Sequence, residues 1–393
     1  MKKVLLIMPI STLNWGEKNA GGVDSVCQML VRELASRTQP SKYRYRVLAF
    51  DPKSQEQYTG RPIILSEQIE VIFAPANESR IGLPLPGIVT GWLRVREQIS
   101  NYKPDIVHAH MNSWIIWPGG RTKNILTLHS YRKIARKPVS IANDFLYEKI
   151  VPFFSNFFVD VFTCVGLELG EALKKDTKKP IYIIGNPLDF RYQPKKNESP
   201  ITGVKCITLI TCALISRRKR IELILSLLME IKRSGRKVVL KIIGPNVDPT
   251  YFLELESLIS QWGLHENVQF MGGLTQKEIA LQYSKADVGI FLSEQETFGL
   301  VPLEMILAGL PLIATPVGVL GEMKKKFTDL GVVFYSKENE KGIAMKIDEI
   351  KSIDVREAQV FLHKIFSPEF ILSEYENTYD KVMCSDYELK LKY

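Results

Sequence analysis

The chain of 393 residues is 45% hydrophobic and 24% charged, with 25 Gly, 21 Pro and five cysteines. These proportions exclude collagen-like, disulfide-scaffold and wholly disordered chains, and the length exceeds what one hydrophobic core usually supports, so two domains are expected. Lys and Arg outnumber Asp and Glu by 52 to 43, a formal charge of +9 that favours an anionic partner without choosing among nucleotides, nucleic acids and acidic membranes.

The opening MKKVLLIMPI has the look of a secretion signal, but its apolar run is short and gives way to Asn14, Trp15, Glu17 and Lys18 without a small-residue cleavage site. It reads as a buried first strand. Further apolar, β-branched runs follow at Tyr45, Ile69, Asp105, Ile125, Val159 and Ile181. Between the opening strand and the run at Tyr45 lies a segment in which Val23, Val26, Cys27, Leu30 and Leu34 share one helical face, preceded by Gly21 and Gly22. Nearly continuous apolar strands alternating with amphipathic helices argue for parallel sheets covered on both faces. The polar stretch RYQPKKNESP marks a linker, and a second series of strands then begins at Ile207, Val238, Val268, Asp287, Leu310 and Val332. The fold class expected is therefore α/β, two doubly wound Rossmann-like domains facing a cleft. Residues 1–190 form the first domain, 191–202 the linker, 203–366 the second domain and 367–385 a final helix opened by Ser367 and Pro368. The apolar stretch Leu300 to Leu320 is broken by Pro302, Gly309, Pro311, Pro316 and Gly318, so it reads as a short helix and a buried strand rather than a membrane span. Cys27, Cys164, Cys206, Cys212 and Cys384 are scattered and contain no CxxC pair, which points to a reducing cytoplasm.

The richest segment is SEQETFGLVPLEMILAGLP, in which seven residues separate Glu296 from Glu304 across a strand-to-helix junction. The free N–H groups and dipole at such a helix start attract a diphosphate or sugar hydroxyls, Gly299 permits close backbone approach, and a glutamate one turn on suits two ribose hydroxyls. An acidic loop capping an ordinary helix gives the same spacing.

With GGVDSV at Gly21, DIVHAH at Asp105, TLHS at Thr127, IIGNPLD at Ile183, SRRKRIELIL at Ser216, LKIIGPN at Leu240, VQFMGGL at Val268 and FSPEF near the end, the chain resembles glycosyltransferase family 4. These are GT-B enzymes that transfer a sugar from a nucleotide donor with retention at the anomeric carbon. The resemblance implies that Gly21 and Gly22 approach the donor phosphates and His129 the transferred sugar. It further implies that Glu296 and the backbone of Phe298, Gly299, Leu300 and Val301 orient that sugar, and that Glu304 holds the ribose. Gly244 would leave room at the nucleotide, and the Leu274 backbone would meet the base. Lys219 stands where the family carries a phosphate-neutralising lysine. Six residues earlier, where many members have an arginine, stands Ala213; Arg217 or Arg218 takes that role in a gapped alignment. The catalytic set expected is His129, Glu296 and Lys219.

No Asp-x-Asp motif occurs, and His108 and His110, two apart on a strand, lack a third ligand, so no metal or other cofactor is expected. The leading expectation is a cytoplasmic hexosyltransferase using UDP-glucose on a saccharide or lipid-linked saccharide in polysaccharide or glycoconjugate synthesis. A GDP-mannose enzyme and an inactive nucleotide-sugar-binding partner subunit stand beside it. A dehydrogenase lacks the GxGxxG turn, and no nucleic-acid motif accompanies the positive charge. Trp92, Trp114 and Trp117 with Arg94, Arg96, Arg121, Lys123, Arg132, Lys133, Arg136 and Lys137 suggest peripheral contact with an anionic inner membrane face, or else core tryptophans within a solvated basic rim.

Overall fold

The computed structural model describes residues 1–14, 21–38, 41–51, 61–75, 79–80, 83–84, 87–111, 122–131, 145, 149–191 and 206–384. The chain forms two compact units, Met1–Pro187 together with Pro368–Tyr393, and Leu188–Ser367. Within the linker segment, only Arg191 falls among the described residues.

The first unit contains β1 (Lys2–Pro9), β2 (Tyr43–Asp51), β3 (Ile63–Ser66), β4 (Ile69–Pro75), β5 (Ser79–Arg80), β6 (Leu83–Pro84), β7 (Ile106–Ala109), β8 (Lys123–Leu128), β9 (Val161–Cys164) and β10 (Ile181–Ile183). Its main sheet has the order β10-β9-β8-β7-β1-β2-β4-β3, and β5 pairs only with β6. The unbroken apolar run of β1 is explained by burial from both sides: Val4, Leu5, Leu6, Ile7 and Met8 are all at most 2% exposed. The expectation of a wholly parallel sheet needs one correction, because β3 runs antiparallel to β4. Only Glu67 and Gln68 separate these strands, and so short a turn can join only antiparallel neighbours.

The final helix, Pro368–Cys384, belongs to the first unit and turns Ile371, Leu372, Tyr375, Thr378, Tyr379 and Val382 inward. Its acids hold β2 and the segment before it: Glu376 accepts from Arg37 (2.8 Å) and the Tyr45 hydroxyl (2.6 Å), and Asp380 accepts from the Tyr43 hydroxyl (2.6 Å) and from Lys42. Beneath them runs a buried polar thread. The Tyr379 hydroxyl meets His108 Nδ1 at 2.7 Å, His108 Nε2 meets Thr127 Oγ1 at 2.7 Å, and Thr127 meets Thr163, so one chain of hydrogen bonds crosses β7, β8 and β9. Every polar group in it is satisfied within the core.

The second unit contains β11 (Ile207–Cys212), β12 (Val238–Ile243), β13 (Val268–Gly272), β14 (Val288–Phe291), β15 (Leu312–Ala314) and β16 (Val333–Phe334). All neighbours are parallel, in the order β13-β12-β11-β14-β15-β16. The helix Ile221–Arg233 covers the sheet with Ile221, Ile224, Leu225, Leu227, Leu228 and Ile231, the leucine stripe expected of a sheet-packing face. The stretch from Leu300 resolves into the helix Leu300–Leu307 and the buried strand β15, separated by Gly309 at φ +84°. Among the described residues no helix is long and apolar enough to cross a membrane.

Burial, followed by the charge of His129, pushes His108 down from 6.5 to about 3, so it is neutral in the folded unit. An unfolded chain takes up a proton there below about pH 6.5, whereas the folded one does not until about pH 3; the stabilisation is full above 6.5 and is lost as the pH falls through that window. The slope from this one residue approaches about 1.4 kcal/mol per pH unit. Urea unfolding between pH 7.5 and 4.5 is expected to show stability falling on acidification, with a shallower fall in His108→Gln even though that variant starts lower. Equal slopes in the two proteins would contradict the assignment.

Candidate active site

In the second unit the crossovers leave β11 and β14 toward opposite flanks, so the crevice outside their carboxyl ends is left open, the place where such sheets receive ligands. Two loops meet there. The loop after β11 ends in a 3-10 turn, Arg217–Lys219, and the loop after β14 runs from Leu292 to Gly299. They are stitched together through the backbone, the Glu294 N–H donating to the Arg218 carbonyl at 2.8 Å. Across the same seam Lys219 Nζ is paired with Glu296 Oε1, both side chains nearly buried, and the ammonium lies 5.0 Å from the centroid of Phe291. Ser293, 1% exposed, places its hydroxyl 2.7 Å from the same carboxylate oxygen. A hydroxyl has one hydrogen, and the charge-assisted bond to Glu296 is the strongest use of it. The Thr315 hydroxyl in turn donates to the Ser293 carbonyl at 2.6 Å. Ser293 and Thr315 escaped the sequence reading; the only trace of them is a serine closing an apolar strand three residues before Glu296.

The helix Leu300–Leu307 starts from Gly299 in the left-handed region (φ +86°) with no side-chain cap, so the first-turn N–H groups of Leu300 and Val301 have no partner within the helix. Phe298 is a packed residue, its ring against Phe366 with centroids 5.1 Å apart, and its carbonyl accepts from the Val319 N–H at 2.9 Å. A side chain at Gly318 would come within 2.4 Å of that carbonyl, so this glycine lets the next loop clamp the junction. Glu304, half-buried in the second turn, helps push the thiol of Cys212 at the end of β11 up to about 12, after burial, which is the larger cause; Lys219 acts in the other direction. Glu304, Lys219 and Glu296 thus surround one strand end.

Gly244, at φ +139°, is required by close approach: a Cβ there would lie 1.9 Å from the Ala213 carbonyl oxygen. Leu274 follows β13, whose last residue, Gly272, accepts from the Gly244 N–H at 2.8 Å, and precedes the capping box of Thr275 and Glu278. The two candidate arginines diverge. Arg217 pairs with Glu254 and stacks its guanidinium 5.5 Å from the centroid of Tyr251, toward the helix Pro249–Gln261. Arg218 makes no side-chain hydrogen bond or ion pair with the described residues. Arg220, which pairs with Glu294, occupies the left-handed region at φ +48°, unusual for a non-glycine residue.

In the first unit the corresponding opening lies between β1 and β7. Gly21 caps the helix Gly22–Ser36 at φ +147°, and the buried Asp24 one turn in accepts from the Ser11 N–H (3.0 Å), the Ser11 hydroxyl (2.6 Å) and Gln28 (3.0 Å), which fixes the helix start to the end of β1. His129, after β8, meets His110 Nδ1 through its Nε2 at 3.1 Å with the rings stacked at 26°. His110 Nε2 is buried without a partner. A proton on it would strand a donor, so His110 carries its proton on Nδ1 and donates to His129, which keeps its own on Nδ1. Burial lowers His129 to about 4, so this imidazole is neutral near pH 7.

Both ring nitrogens of His108 are engaged, which removes it as a metal ligand, and no group of three His, Cys, Asp or Glu suited to a metal occurs among the described residues. Of the basic and aromatic cluster, Trp92 is half-buried with Arg96 5.2 Å from its ring centroid, whereas Trp114, Trp117, Arg121, Arg132, Lys133, Arg136 and Lys137 lie outside the described residues.

Residues 20–192 match the model of Glycosyltransferase Family 4, and residues 195–360 match that of Glycosyl transferases group 1. An uncharacterized glycosyltransferase of Methanocaldococcus jannaschii is 25% identical over 72% of this chain and 76% of its own length. Alpha-monoglucosyldiacylglycerol synthase of Streptococcus pneumoniae is 33% identical over 27% of this chain and 24% of its own length. Sucrose-phosphate synthase from Thermosynechococcus elongatus superposes with a TM-score of 0.74 at 16% identity, covering 98% of this chain and all of that one. Anabaena HepE, solved in complex with UDP and glucose, superposes with a TM-score of 0.67 at 15% identity over 97% of this chain and all of that one, identities at which the likeness speaks for the fold alone. With the two family models lying end to end along the chain and a parallel α/β unit behind each, the protein is a GT-B glycosyltransferase of the family 4 type.

Proposed function

We propose that the protein is a retaining, metal-independent hexosyltransferase that moves glucose from UDP-glucose to a hydroxyl of a saccharide or lipid-linked saccharide at the cytoplasmic face of a membrane. The observation that carries this reading is the Lys219–Glu296–Ser293 cluster, set beside an uncapped helix start at the open end of β11 and β14. As the acceptor oxygen bonds to the anomeric carbon and the bond to the diphosphate breaks, negative charge gathers on the leaving UDP. Lys219 and the N–H groups of Leu300 and Val301 are suited to stabilise it, without a metal. Glu296 would accept sugar hydroxyls and Glu304 the ribose hydroxyls; as the family resemblance implies, the Nδ1–H of neutral His129 is assigned to the sugar and Gly21 and Gly22 to the phosphates. UDP and glucose are the ligands of HepE, and this supports the donor chosen.

An inactive nucleotide-sugar-binding subunit remains the second reading because Ala213 leaves the arginine position empty. The commitment of Arg217 to Glu254 makes Arg218 the compensating cation. A panel of UDP- and GDP-sugars, followed by binding and slow donor hydrolysis, tests the donor without knowledge of the acceptor. UDP-glucose is expected to bind best and to hydrolyse; binding without hydrolysis would favour the inactive subunit, and preference for GDP-mannose would replace the donor.

Lys219→Ala is expected to lower donor hydrolysis about a hundredfold or more, while EDTA leaves the parent protein unchanged. Arg218→Ala should cost about tenfold and Arg217→Ala within about twofold; the reverse order would return the role to Arg217.

Calorimetry with UDP and UDP-glucose separates the two glutamates. Glu304→Gln should weaken UDP itself by roughly tenfold to a hundredfold through lost charge-assisted bonds, whereas Glu296→Gln should keep UDP affinity and lose turnover. Identical behaviour of both variants would overturn this division.

A further inference from the structure

The helix Val151–Phe158, VPFFSNFF, is built inside out. Its buried positions are Val151 and Ser155, the serine hydroxyl turned back onto the Val151 carbonyl at 2.7 Å, while Phe153 is 70%, Phe154 41% and Phe157 73% exposed. Ordinary surface helices place their apolar residues on the inner face, and a cluster of exposed phenylalanines marks an interaction surface. Phe145, 61% exposed, lies a few residues upstream.

Lysines flank this face at both ends. Lys149 is exposed just before the helix. At the other end runs KKDTKK, in which Lys174, Lys175 and Lys178 are exposed and Lys179 donates to the Phe157 and Val159 carbonyls, neutralising the negative end of the helix dipole. Asp176, the one acid of that run, is exposed and accepts from the Tyr131 hydroxyl at 2.6 Å, and Asn156 donates to the Asp176 carbonyl at 2.9 Å, so this run, still net basic, is fixed alongside the helix. A helix lying flat with aromatic side chains outward and cations at its borders matches an anionic lipid interface, where rings enter the acyl boundary and ammonium groups meet headgroups. An acidic protein partner would meet the lysines but leave the phenylalanines unpaired. Beneath the helix, Pro152 and Phe153 join Leu128, Tyr131, Phe162 and Leu173 around a cavity of about 230 Å³, so the face adjoins the strand end that carries His129.

We infer that the exposed phenylalanine face of Val151–Phe158, with Lys149, Lys174, Lys175 and Lys178, is the surface by which this protein docks onto anionic membranes. This goes beyond the transfer reaction and requires no particular donor or acceptor.

The test is flotation of the full chain with vesicles of phosphatidylcholine alone or mixed with phosphatidylglycerol, at low and high salt. Binding is expected only with the anionic lipid, weakening as salt rises. The triple variant Phe153→Ser, Phe154→Ser, Phe157→Ser should lose at least about tenfold in partitioning, Phe153→Trp with Phe157→Trp should retain it, and Lys174→Glu, Lys175→Glu, Lys178→Glu should remove its dependence on anionic lipid. UDP-glucose hydrolysis without vesicles should be the same in parent and triple variant, so that loss of docking is separated from loss of fold and from failure of the donor reading. Equal binding to both vesicle types, full binding by the triple variant, or a parent dimer that the triple variant dissociates would each overturn the inference, the last in favour of self-association.

Discussion

A doubly wound parallel sheet leaves one gap uncovered. Wherever consecutive crossovers depart to opposite flanks, no connection passes over the carboxyl ends of the two strands between them, and backbone polar groups there must find partners outside the sheet. In the second unit that gap lies between β11 and β14, and Lys219, Ser293 and Glu296 are supplied by the two loops that begin there. Ser293 ties Glu296, Thr315 ties Ser293, and the Glu294 N–H ties the Arg218 carbonyl, so the two loops behave as one surface. The close approach of Gly244 to Ala213 belongs to the same constraint, since the strand next to β11 also ends at this edge.

The pairing of Lys219 with Glu296 gives this surface its electrostatic logic. Two opposite charges withdrawn together from water are a poor source of stability, because desolvation offsets much of their attraction. Their arrangement is better understood as a stored one. Under the proposed function, an arriving diphosphate would offer the ammonium a stronger partner and sugar hydroxyls would offer the carboxylate new donors, so the pair would pass from mutual contact to contact with ligand without any charge being left alone in a poorly solvated site. Ser293 would keep Glu296 in place during that exchange. The Arg220 backbone, held at φ +48° immediately after Lys219, fixes where the 3-10 turn ends and the helix Ile221–Arg233 begins.

How much of this was legible in the sequence follows from what each signal encodes. Parallel strands buried on both faces must be apolar throughout, so β1, β2, β11 and β12 stand out as runs, and the glycine junction ahead of Leu300 stands out because a tight turn demands it. The hairpin strand β3 was not read, since Ile63 and Ile64 are 41% and 74% exposed and belong to no buried face. The helix Val151–Phe158 was not read either: four phenylalanines carry no helical periodicity when the polar residue faces inward. Spacing placed Arg217 and Arg218 side by side but could not say which one would be taken up by Glu254, thirty-seven residues later, because that contact depends on how β12 brings its following helix alongside. Ser293 was missed for the same reason, its partners being fixed by the fold of the loop rather than by any repeat.

The final helix extends the argument to the order in which the chain is completed. His108 sits in the middle of the first sheet and needs a partner on each ring nitrogen; Thr127 provides one from the adjacent strand, but Tyr379 provides the other from the far end of the chain. The hydroxyls of Tyr43 and Tyr45 likewise rely on Asp380 and Glu376. Until Pro368–Cys384 is made, the first unit therefore carries unpaired polar groups at the centre of its sheet and an uncovered apolar face where Ile371, Tyr375 and Val382 belong, a combination that costs more than either defect alone. The second unit, whose core clusters β11, β12, β14 and their helices entirely within Leu188–Ser367, has no such dependence. The unit that begins the chain is thus the one whose core is closed last.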